Sequence, residues 1–227
     1  MDSSFEEEFM LSFLLSVGLA VLTYHFLSSE YTPRVIKNLQ GIKVQNVAAG
    51  FLHSACIDEN GSVFIFGERA AYKVGFGEVD NATMGPVVSK LPYSVEVACG
   101  GYHICVLTSC GELNAWGSNE NGCLGIGSTD VYHRPERVQG PLLKAPVTKV
   151  SCGWKHTAAI SEGNIYTWGW GGSHGTFSED GHSSGGQLGL GSDVDYIEPA
   201  RVTFGTNVKA LEISCGFNHT GAIIEYR

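Results

Sequence analysis

The stretch Val150-Ser151-Cys152-Gly153-Trp154-Lys155-His156-Thr157 is one of four related stretches in this chain of 227 residues. Each has a glycine followed three residues later by a histidine, and the other three lie at residues 47–54, 97–103 and 213–220. Successive motif glycines are 50, 53 and 63 residues apart, counted from Gly50 through Gly100 and Gly153 to Gly216. A period near 50 residues is typical of an array of one supersecondary unit. The spacing therefore predicts a repeat architecture.

Each motif is followed by the signals of a short β-hairpin. In the first repeat, apolar residues at 54–57 and 62–66 flank a turn that ends in Asn60-Gly61, a strong hairpin signal because glycine tolerates positive φ. A glycine-rich stretch comes next, and a proline then opens the following unit, as in Pro199-Ala200-Arg201-Val202. No repeat shows a sustained apolar period of 3.6 residues. Since about 50 residues hold about four short strands, we predict an all-β partial β-propeller of about three full blades plus partial ones.

Four sub-motifs occur in a fixed order: Val-x-Cys-Gly-x-x-His-Thr, Trp-Gly, Gly-Gln-Leu-Gly-x-Gly and Pro-x-Arg-Val. This combination resembles the repeat of the regulator of chromosome condensation family, in its plant ultraviolet-B-receptor-like branch, over about residues 31–227. The resemblance implies a seven-bladed β-propeller. It also implies the functions of that family, which include nucleotide exchange on the small GTPase Ran and many scaffold roles. With fewer blades, the chain resembles only the C-terminal portion of such a protein, either as a truncated form or as one of two copies that complete a ring.

Residues that recur once in every repeat are expected to serve the fold. We expect the glycines to permit close backbone approach or positive φ, and the histidines to satisfy buried backbone groups rather than perform chemistry. Cys99, Cys152 and Cys215 share one repeat position and should pack as small apolar side chains. Trp116 and Trp168, which end hairpins, should pack between blades. The structural repeat positions are Gly50, His53, Gly100, His103, Gly153, His156, Gly216 and His219.

The first 30 residues differ from the repeats and are predicted to form a separate segment. Residues 9–27 carry no fixed charge, and as a helix they would span about 28 Å, close to the hydrocarbon thickness of a bilayer. We predict one hydrophobic helix here. One interpretation is a single-pass membrane anchor, and the other is translated sequence without an evolved role. The first basic residues follow the segment, so an anchor would place repeats 31–227 in the cytoplasm.

Composition limits the class of partner and the compartment. The net charge is −9 and no cluster of lysine and arginine occurs, which argues against direct nucleic-acid binding but is compatible with basic protein partners such as histones. The seven cysteines are an odd number and lie mostly at repeat positions. This usage is typical of a reducing compartment, so we predict a cytoplasmic or nuclear protein.

The third repeat departs from the others by an insert between Gly169 and Gly186, which are 17 residues apart, whereas Gly117 and Gly122 are 5 apart. Long loops on rigid scaffolds often carry recognition. No histidine or carboxylate spacing matches a metal site, and no nucleophile-elbow motif is present, so no catalytic, cofactor or metal residues are predicted. The predicted partner contacts are Trp154, Lys155, Trp170, His174, Phe177 and His182.

These features favour a non-catalytic protein-interaction scaffold. In the resembling ultraviolet-B receptor, light absorption rests on several Gly-Trp-Arg-His-Thr copies. Only residues 153–157 come close here, and Lys155 replaces the arginine, so photoreception is not expected. The alternatives are a guanine-nucleotide exchange factor for a small GTPase, which would act by protein contact, and a truncated non-functional fragment. A small GTPase or a chromatin protein is the expected kind of partner.

Overall fold

The computed structural model describes residues 20–21, 24–25, 28–29, 34–36, 39–51, 53–67, 87–88, 91–172 and 185–226. No residue in these ranges lies in an α-helix, and a short 3₁₀ helix spans Gly140–Leu143. The all-β class predicted from the repeats is confirmed. In chain order the strands are β1 (Ala20–Val21), β2 (Tyr24–His25), β3 (Ser28–Ser29), β4 (Arg34–Val35), β5 (Val44–Ala49), β6 (Ser54–Asp58), β7 (Val63–Phe66), β8 (Val87–Val88), β9 (Ser94–Cys99), β10 (His103–Thr108), β11 (Leu113–Gly117), β12 (Tyr132–Arg137), β13 (Val147–Cys152), β14 (His156–Ser161), β15 (Asn164–Gly169), β16 (Tyr196–Arg201), β17 (Val208–Cys215) and β18 (Thr220–Tyr226).

Strands β5 to β16 form three four-stranded antiparallel sheets, in which each strand pairs with the next along the chain. We call β5–β8 blade 1, β9–β12 blade 2 and β13–β16 blade 3, while β17 and β18 pair as a two-stranded blade 4. Antiparallel neighbours need only short turns, so each repeat folds as one contiguous meander. Two small pairs, β1 with β4 and β2 with β3, precede blade 1.

A glycine with positive φ closes the hairpin between the second and third strands of each full blade. These glycines are Gly61 (φ 74°), Gly111 (φ 84°) and Gly163 (φ 74°). In blade 1 the Asp58 carboxylate also accepts hydrogen bonds from the backbone N–H groups of Asn60 and Ser62, at 3.0 and 2.8 Å. The side chain and the glycine therefore fix the turn together, at the place where the sequence predicts it.

Neighbouring blades pack their apolar faces against each other. Ile57 and Ile65 of blade 1 belong to one buried cluster with Trp116 of blade 2. Leu113 of blade 2 and Trp168 of blade 3 belong to a second cluster. Both tryptophans are completely buried, as predicted for aromatics that pack between blades. Burial of apolar surface at roughly 25 cal/mol per Å² makes these faces the main source of stability.

The first strands of the blades lie side by side, and side chains of one strand accept hydrogen bonds from backbone groups of the next. The Val97 N–H donates to Oδ1 of Asn46 at 3.0 Å, and the Cys215 N–H donates to Oγ of Ser151 at 2.9 Å. A first strand is the edge of its sheet, and its outward N–H groups need partners when they are buried. Polar contacts therefore join the blades along this edge, in addition to the apolar packing.

The predicted N-terminal helix over residues 9–27 needs a correction. Of that segment the structure describes only Ala20–Val21 and Tyr24–His25, and both are strands, paired with Arg34–Val35 and Ser28–Ser29. Short apolar runs suit a strand as well as a helix, so hydrophobicity alone could not separate the two. The rest of the segment lies outside the described residues. In the part of the chain that the structure describes, no helix has the length and apolar character needed to cross a membrane.

Candidate functional site

The Gly-x-x-His motifs form tight turns between the first and second strands, at one end of the blades. In each turn the glycine N–H donates to the histidine carbonyl oxygen, at 2.8 to 2.9 Å, which leaves two residues at the tip. Four turns of one kind thus lie in a row at the same end of the array. The four pairs are Gly50 with His53, Gly100 with His103, Gly153 with His156, and Gly216 with His219.

The motif glycines are required by the histidine rings. A Cβ atom on Gly100 would overlap Cε1 of His103, and Gly153 and Gly216 meet their own histidines in the same way. A Cβ on Gly50 would overlap the His53 ring and also the backbone oxygen of Gly100. None of the four has a positive φ. Of the two expected reasons for glycine, close approach holds at these positions, whereas positive φ does not.

Two of the histidines join their blade to the next one. Nε2 of His103 lies 2.9 Å from Oγ1 of Thr157, and Nε2 of His156 lies 3.0 Å from Oγ1 of Thr220. Thr157 donates its hydroxyl proton to the carbonyl oxygen of Cys123 at 2.8 Å, so it must accept from the Nε2–H of His103. This assigns the neutral Nε2–H tautomer to His103. The histidine partner is a threonine side chain rather than the backbone group that we expected.

Burial keeps these histidines neutral near pH 7. Desolvation lowers the pKa of His53 to about 4, of His103 to about 3 and of His156 to about 4. A histidine that serves as an acid or base near neutrality needs a pKa near the working pH. Their hydrogen bonds and their pKa values therefore both favour a role in blade packing.

The turn tips carry aromatic side chains that contact one another. The rings of Trp154 and Phe217 are stacked with centroids 4.5 Å apart, and Trp170 meets Trp154 edge-on at 6.4 Å. Nζ of Lys155 lies 4.9 Å from the centre of the Trp154 ring, in cation–π geometry. Phe51 and Tyr102 form a second edge-on pair at 5.9 Å. We call this set the aromatic turn surface: Phe51, Tyr102, Trp154, Lys155, Trp170 and Phe217.

Backbone contacts between turns hold this surface together. The Phe51 N–H donates to the Gly100 carbonyl oxygen at 3.2 Å, and the Trp154 N–H donates to that of Phe217 at 3.1 Å. In the second turn Gly101 stands where the other turns have an aromatic residue. A Cβ on Gly101 would overlap Cδ1 of Trp154, so the indole of the next blade occupies that space.

Two cavities share Trp154 as a wall. The larger, of about 280 Å³, is an open funnel lined by the turn glycines, by Phe51 and Phe217 and by the three repeat cysteines. The smaller, of about 120 Å³, is polar, with Glu120 and Lys155 in its lining. The funnel offers an apolar depression with an aromatic rim, which is the shape that receives a partner side chain in many interfaces.

Within the described ranges, one cluster has metal-ligand residue types. The ligand atoms of His103, Cys105 and Cys152 lie within 4.8 Å of one another. Burial raises the pKa of the Cys152 thiol well above its ordinary value. A protonated thiol is neither a metal ligand nor a nucleophile. The arrangement therefore favours packing over coordination.

The structure brings three of the six predicted partner-contact residues together. Trp154, Lys155 and Trp170 meet at the aromatic turn surface. His174, Phe177 and His182 lie outside the described residues. Sequence reasoning missed Phe51, Tyr102 and Phe217, although they stand at the tips of the same repeated turn and could have been found by aligning the four motifs.

Comparison with known proteins identifies the repeats. Two models described as regulator of chromosome condensation (RCC1) repeat match the chain, one at residues 111–160 and 181–223 and the other at 95–123. The Arabidopsis thaliana protein Ultraviolet-B receptor UVR8 is 31% identical over 196 residues, which are 85% of this chain and 42% of the receptor. The human probable E3 ubiquitin-protein ligase HERC4 is 32% identical over 197 residues, 85% of this chain and 17% of the ligase.

Solved structures share the fold. Human WBSCR16 matches with a TM-score of 0.72 and 23% identity, over 90% of this chain and 50% of that one. Prp20p from Saccharomyces cerevisiae matches with a TM-score of 0.66 and 20% identity, over 86% of this chain and 46% of that one. The chain spans half or less of each of these proteins. Repeats, blades and matches agree, and the chain belongs to the regulator of chromosome condensation (RCC1) repeat family.

Proposed function

We propose that the chain is a non-catalytic protein-interaction module, and that the aromatic turn surface is where it contacts its partner. The observation that carries this proposal is the exposure of Phe51 and Phe217, which are 60% and 55% exposed beside the partly buried Trp154. Aromatic residues are enriched at protein interfaces, where they supply large contact areas. A rigid row of turns presents them at one end of the blades.

The chemistry of the buried groups supports binding rather than catalysis. His53, His103 and His156 are neutral near pH 7 because burial lowers their pKa values. Burial also raises the pKa of Cys215 and Cys152, two of the thiols that line the funnel. Neither set offers a proton-transfer group or a thiolate poised for neutral pH.

The expected partner is a protein, with a small GTPase or a basic chromatin protein as the leading classes. The net charge of −9 favours a basic partner through electrostatic complementarity. Prp20p, whose fold this chain shares in part, has been studied for its binding to Gsp1p and histones. Direct contact with nucleic acid is not part of the proposal.

A surface substitution tests the proposal. We expect Phe51→Ser with Phe217→Ser to weaken capture of histones or of a small GTPase at least tenfold, because truncating exposed aromatic anchors removes most of an interface's binding energy. Phe204→Ser is the matched control, since Phe204 is exposed and follows β16, at the end of the blades away from the turns. Equal loss in both variants, or unchanged binding in the double variant, would contradict the role of this surface.

Nucleotide exchange is the second candidate function. A fluorescent-nucleotide release assay on a panel of small GTPases separates it from simple binding: acceleration of release by the wild-type chain favours an exchange factor. Binding without acceleration favours the scaffold. If the chain binds neither GTPases nor histones and elutes only as aggregate, the third interpretation, a non-functional fragment, is favoured.

The compartment and the N-terminal segment also stay proposals. All seven cysteines are free, which suits the cytoplasm or the nucleus. We retain residues 1–30 as a segment distinct from repeats 31–227, and a membrane anchor over 9–27 as one role for it. Carbonate extraction of membranes tests the anchor, because full release of the intact chain would exclude it.

A further inference from the structure

The smaller of the two cavities lies between blades 2 and 3, beside the aromatic turn surface. The turn tips of both blades line it, through Tyr102 and Trp154, and the loop after β11 contributes Glu120 and Asn121. We call this space of about 120 Å³ the inter-blade cavity. Both blades that form it are complete four-stranded sheets, so the cavity belongs to the junction between two repeats.

A hydrogen bond between the loops of the two blades orients one acceptor of the cavity. Nδ2 of Asn121 donates to Oδ2 of Asp195 at 2.8 Å, and Oδ1 of Asp195 accepts from the Gly171 N–H at 2.9 Å. A carboxylate only accepts hydrogen bonds, so this contact fixes which end of the Asn121 amide faces blade 3. The group that Asn121 has left for a ligand is therefore its side-chain oxygen, an acceptor.

The charged groups around the cavity give it an acidic balance. The ion pairs among the described residues include neither Glu120 nor Lys155. His103, which also lines the cavity, adds no positive charge near pH 7, because burial lowers its pKa to about 3. The carboxylates of Glu120 and of Asp195, behind Asn121, therefore outnumber the one ammonium group of Lys155.

Lys155 shows that the Trp154 wall suits a cation. Lys155 lines the cavity, and its Nζ lies 4.9 Å from the centre of the Trp154 ring. The negative face of an indole attracts an ammonium or guanidinium group at this distance. The chain's own lysine thus occupies a position that a cation from another molecule can take.

We propose that the inter-blade cavity takes a lysine or arginine side chain of the partner protein. The Glu120 carboxylate and the Asn121 side-chain oxygen accept its hydrogen bonds, and the Trp154 ring packs against its charged end. Lys155 then acts as a built-in competitor, whose ammonium group moves away when the cation enters. The source of the cation rests on the proposed function, in which a basic protein is the partner.

Titration with Nα-acetyl-arginine amide tests the site in the full chain without a partner protein. The indole N–H resonance of Trp154, assigned by its loss in Trp154→Phe, reports binding. We expect this probe to bind at least about tenfold more tightly than Nα-acetyl-glutamate amide, because unpaired carboxylates attract the first and repel the second. Equal affinities, tighter binding of the glutamate probe, or no binding of either probe would overturn the proposal.

Two substitutions with opposite expected effects assign the site to its residues. Glu120→Gln should weaken binding of the arginine probe at least about fivefold, whereas Lys155→Met should strengthen it at least about twofold, because a like charge is removed. Glu162→Gln is the matched control, since Glu162 is exposed in the turn between β14 and β15, at the opposite end of blade 3. Weaker binding in Lys155→Met, or equal affinities in Glu120→Gln and Glu162→Gln, would overturn the proposal.

The probe also separates this inference from the proposed function. If capture of histones and GTPases fails while Glu120→Gln weakens binding of the arginine probe, the cation site stands and the proposed function fails. If capture depends on Phe51 and Phe217 but the arginine probe binds Glu120→Gln as well as the wild type, this inference alone fails.

Discussion

The contact between blades 2 and 3 differs from the contact between blades 1 and 2 at one repeated position. His103 donates to Thr157 across the first of these junctions. In the second, His53 is buried with neither ring nitrogen in hydrogen-bond geometry, and Ile104 stands where the next repeats have threonine. Burial lowers the pKa of His53 to about 4.

The difference shows that one residue of the repeat selects between two ways of joining blades. Ile104 is completely buried in the apolar cluster between blades 1 and 2, so the junction gains apolar packing there. The same junction lacks a hydrogen-bond partner for the His53 ring. A buried polar group without a partner costs about 1–3 kcal/mol of stability. At the histidine position the junction of blades 1 and 2 therefore has apolar packing without a hydrogen bond from the ring, whereas the junction of blades 2 and 3 has both.

The largest expected effect comes from displacing the histidine rings. Gly100→Ala forces the His103 ring away and breaks its bond to Thr157, so we expect a loss of about 3–5 kcal/mol in the free energy of unfolding. Urea unfolding measures this loss, and a loss below about 1 kcal/mol would show that displacing the His103 ring breaks no contact that stabilises the junction.

Removing the hydroxyl of Thr157 should cost about 2 kcal/mol. Thr157→Val keeps the shape and deprives the His103 Nε2–H of its acceptor, while the Cys123 carbonyl still accepts from Nε1 of Trp168 at 2.9 Å. Thr206→Val is the control, because Thr206 is exposed and should change stability by less than about 0.5 kcal/mol. If Thr157→Val matches that control in urea unfolding, the hydrogen bond contributes nothing.

Acid should destabilise both junctions through the same histidines. Histidine in the unfolded chain has a pKa of about 6.5, so below that pH the unfolded state binds more protons and stability falls. The fall continues to about pH 4 for His53 and about pH 3 for His103, their folded-state pKa values. We expect His53→Phe to reduce the slope of stability against pH by up to about 1.4 kcal/mol per unit between pH 6 and 4.5. An unchanged slope would show that His53 is not neutral in the fold.

The smallest effect is a designed repair of the weaker junction. Ile104→Thr offers His53 the hydroxyl that the other junctions have, but it loses apolar burial. A double-mutant cycle with His53→Phe isolates the new bond, and we expect a favourable coupling of about 1 kcal/mol. Zero coupling would indicate that the threonine at this position does not reach His53.

The parts of the fold that the sequence predicted are those encoded within one repeat. The glycine and histidine spacing, the Asn60-Gly61 turn and the apolar runs predicted the blades because a meander uses only local signals. The His103–Thr157 bond joins residues 54 apart, and nothing in a single repeat shows in which direction the ring points. The candidate site was predicted at Trp154, Lys155 and Trp170. Its other aromatics stand at aligned turn tips, but the sequence does not show which tips contact one another, and only the position of Trp154 explains Gly101.

Because each blade is one contiguous stretch of chain, the molecule can form in the order in which it is made. The face of blade 1 that carries Ile57 and Ile65 is complete about 50 residues before Trp116, its cover from blade 2, has been synthesised. At 5–20 residues per second, that interval lasts roughly 3–10 s. During translation, the apolar face of each blade therefore stays exposed for seconds until the next repeat arrives, and we expect chaperones to bind the nascent chain during these intervals.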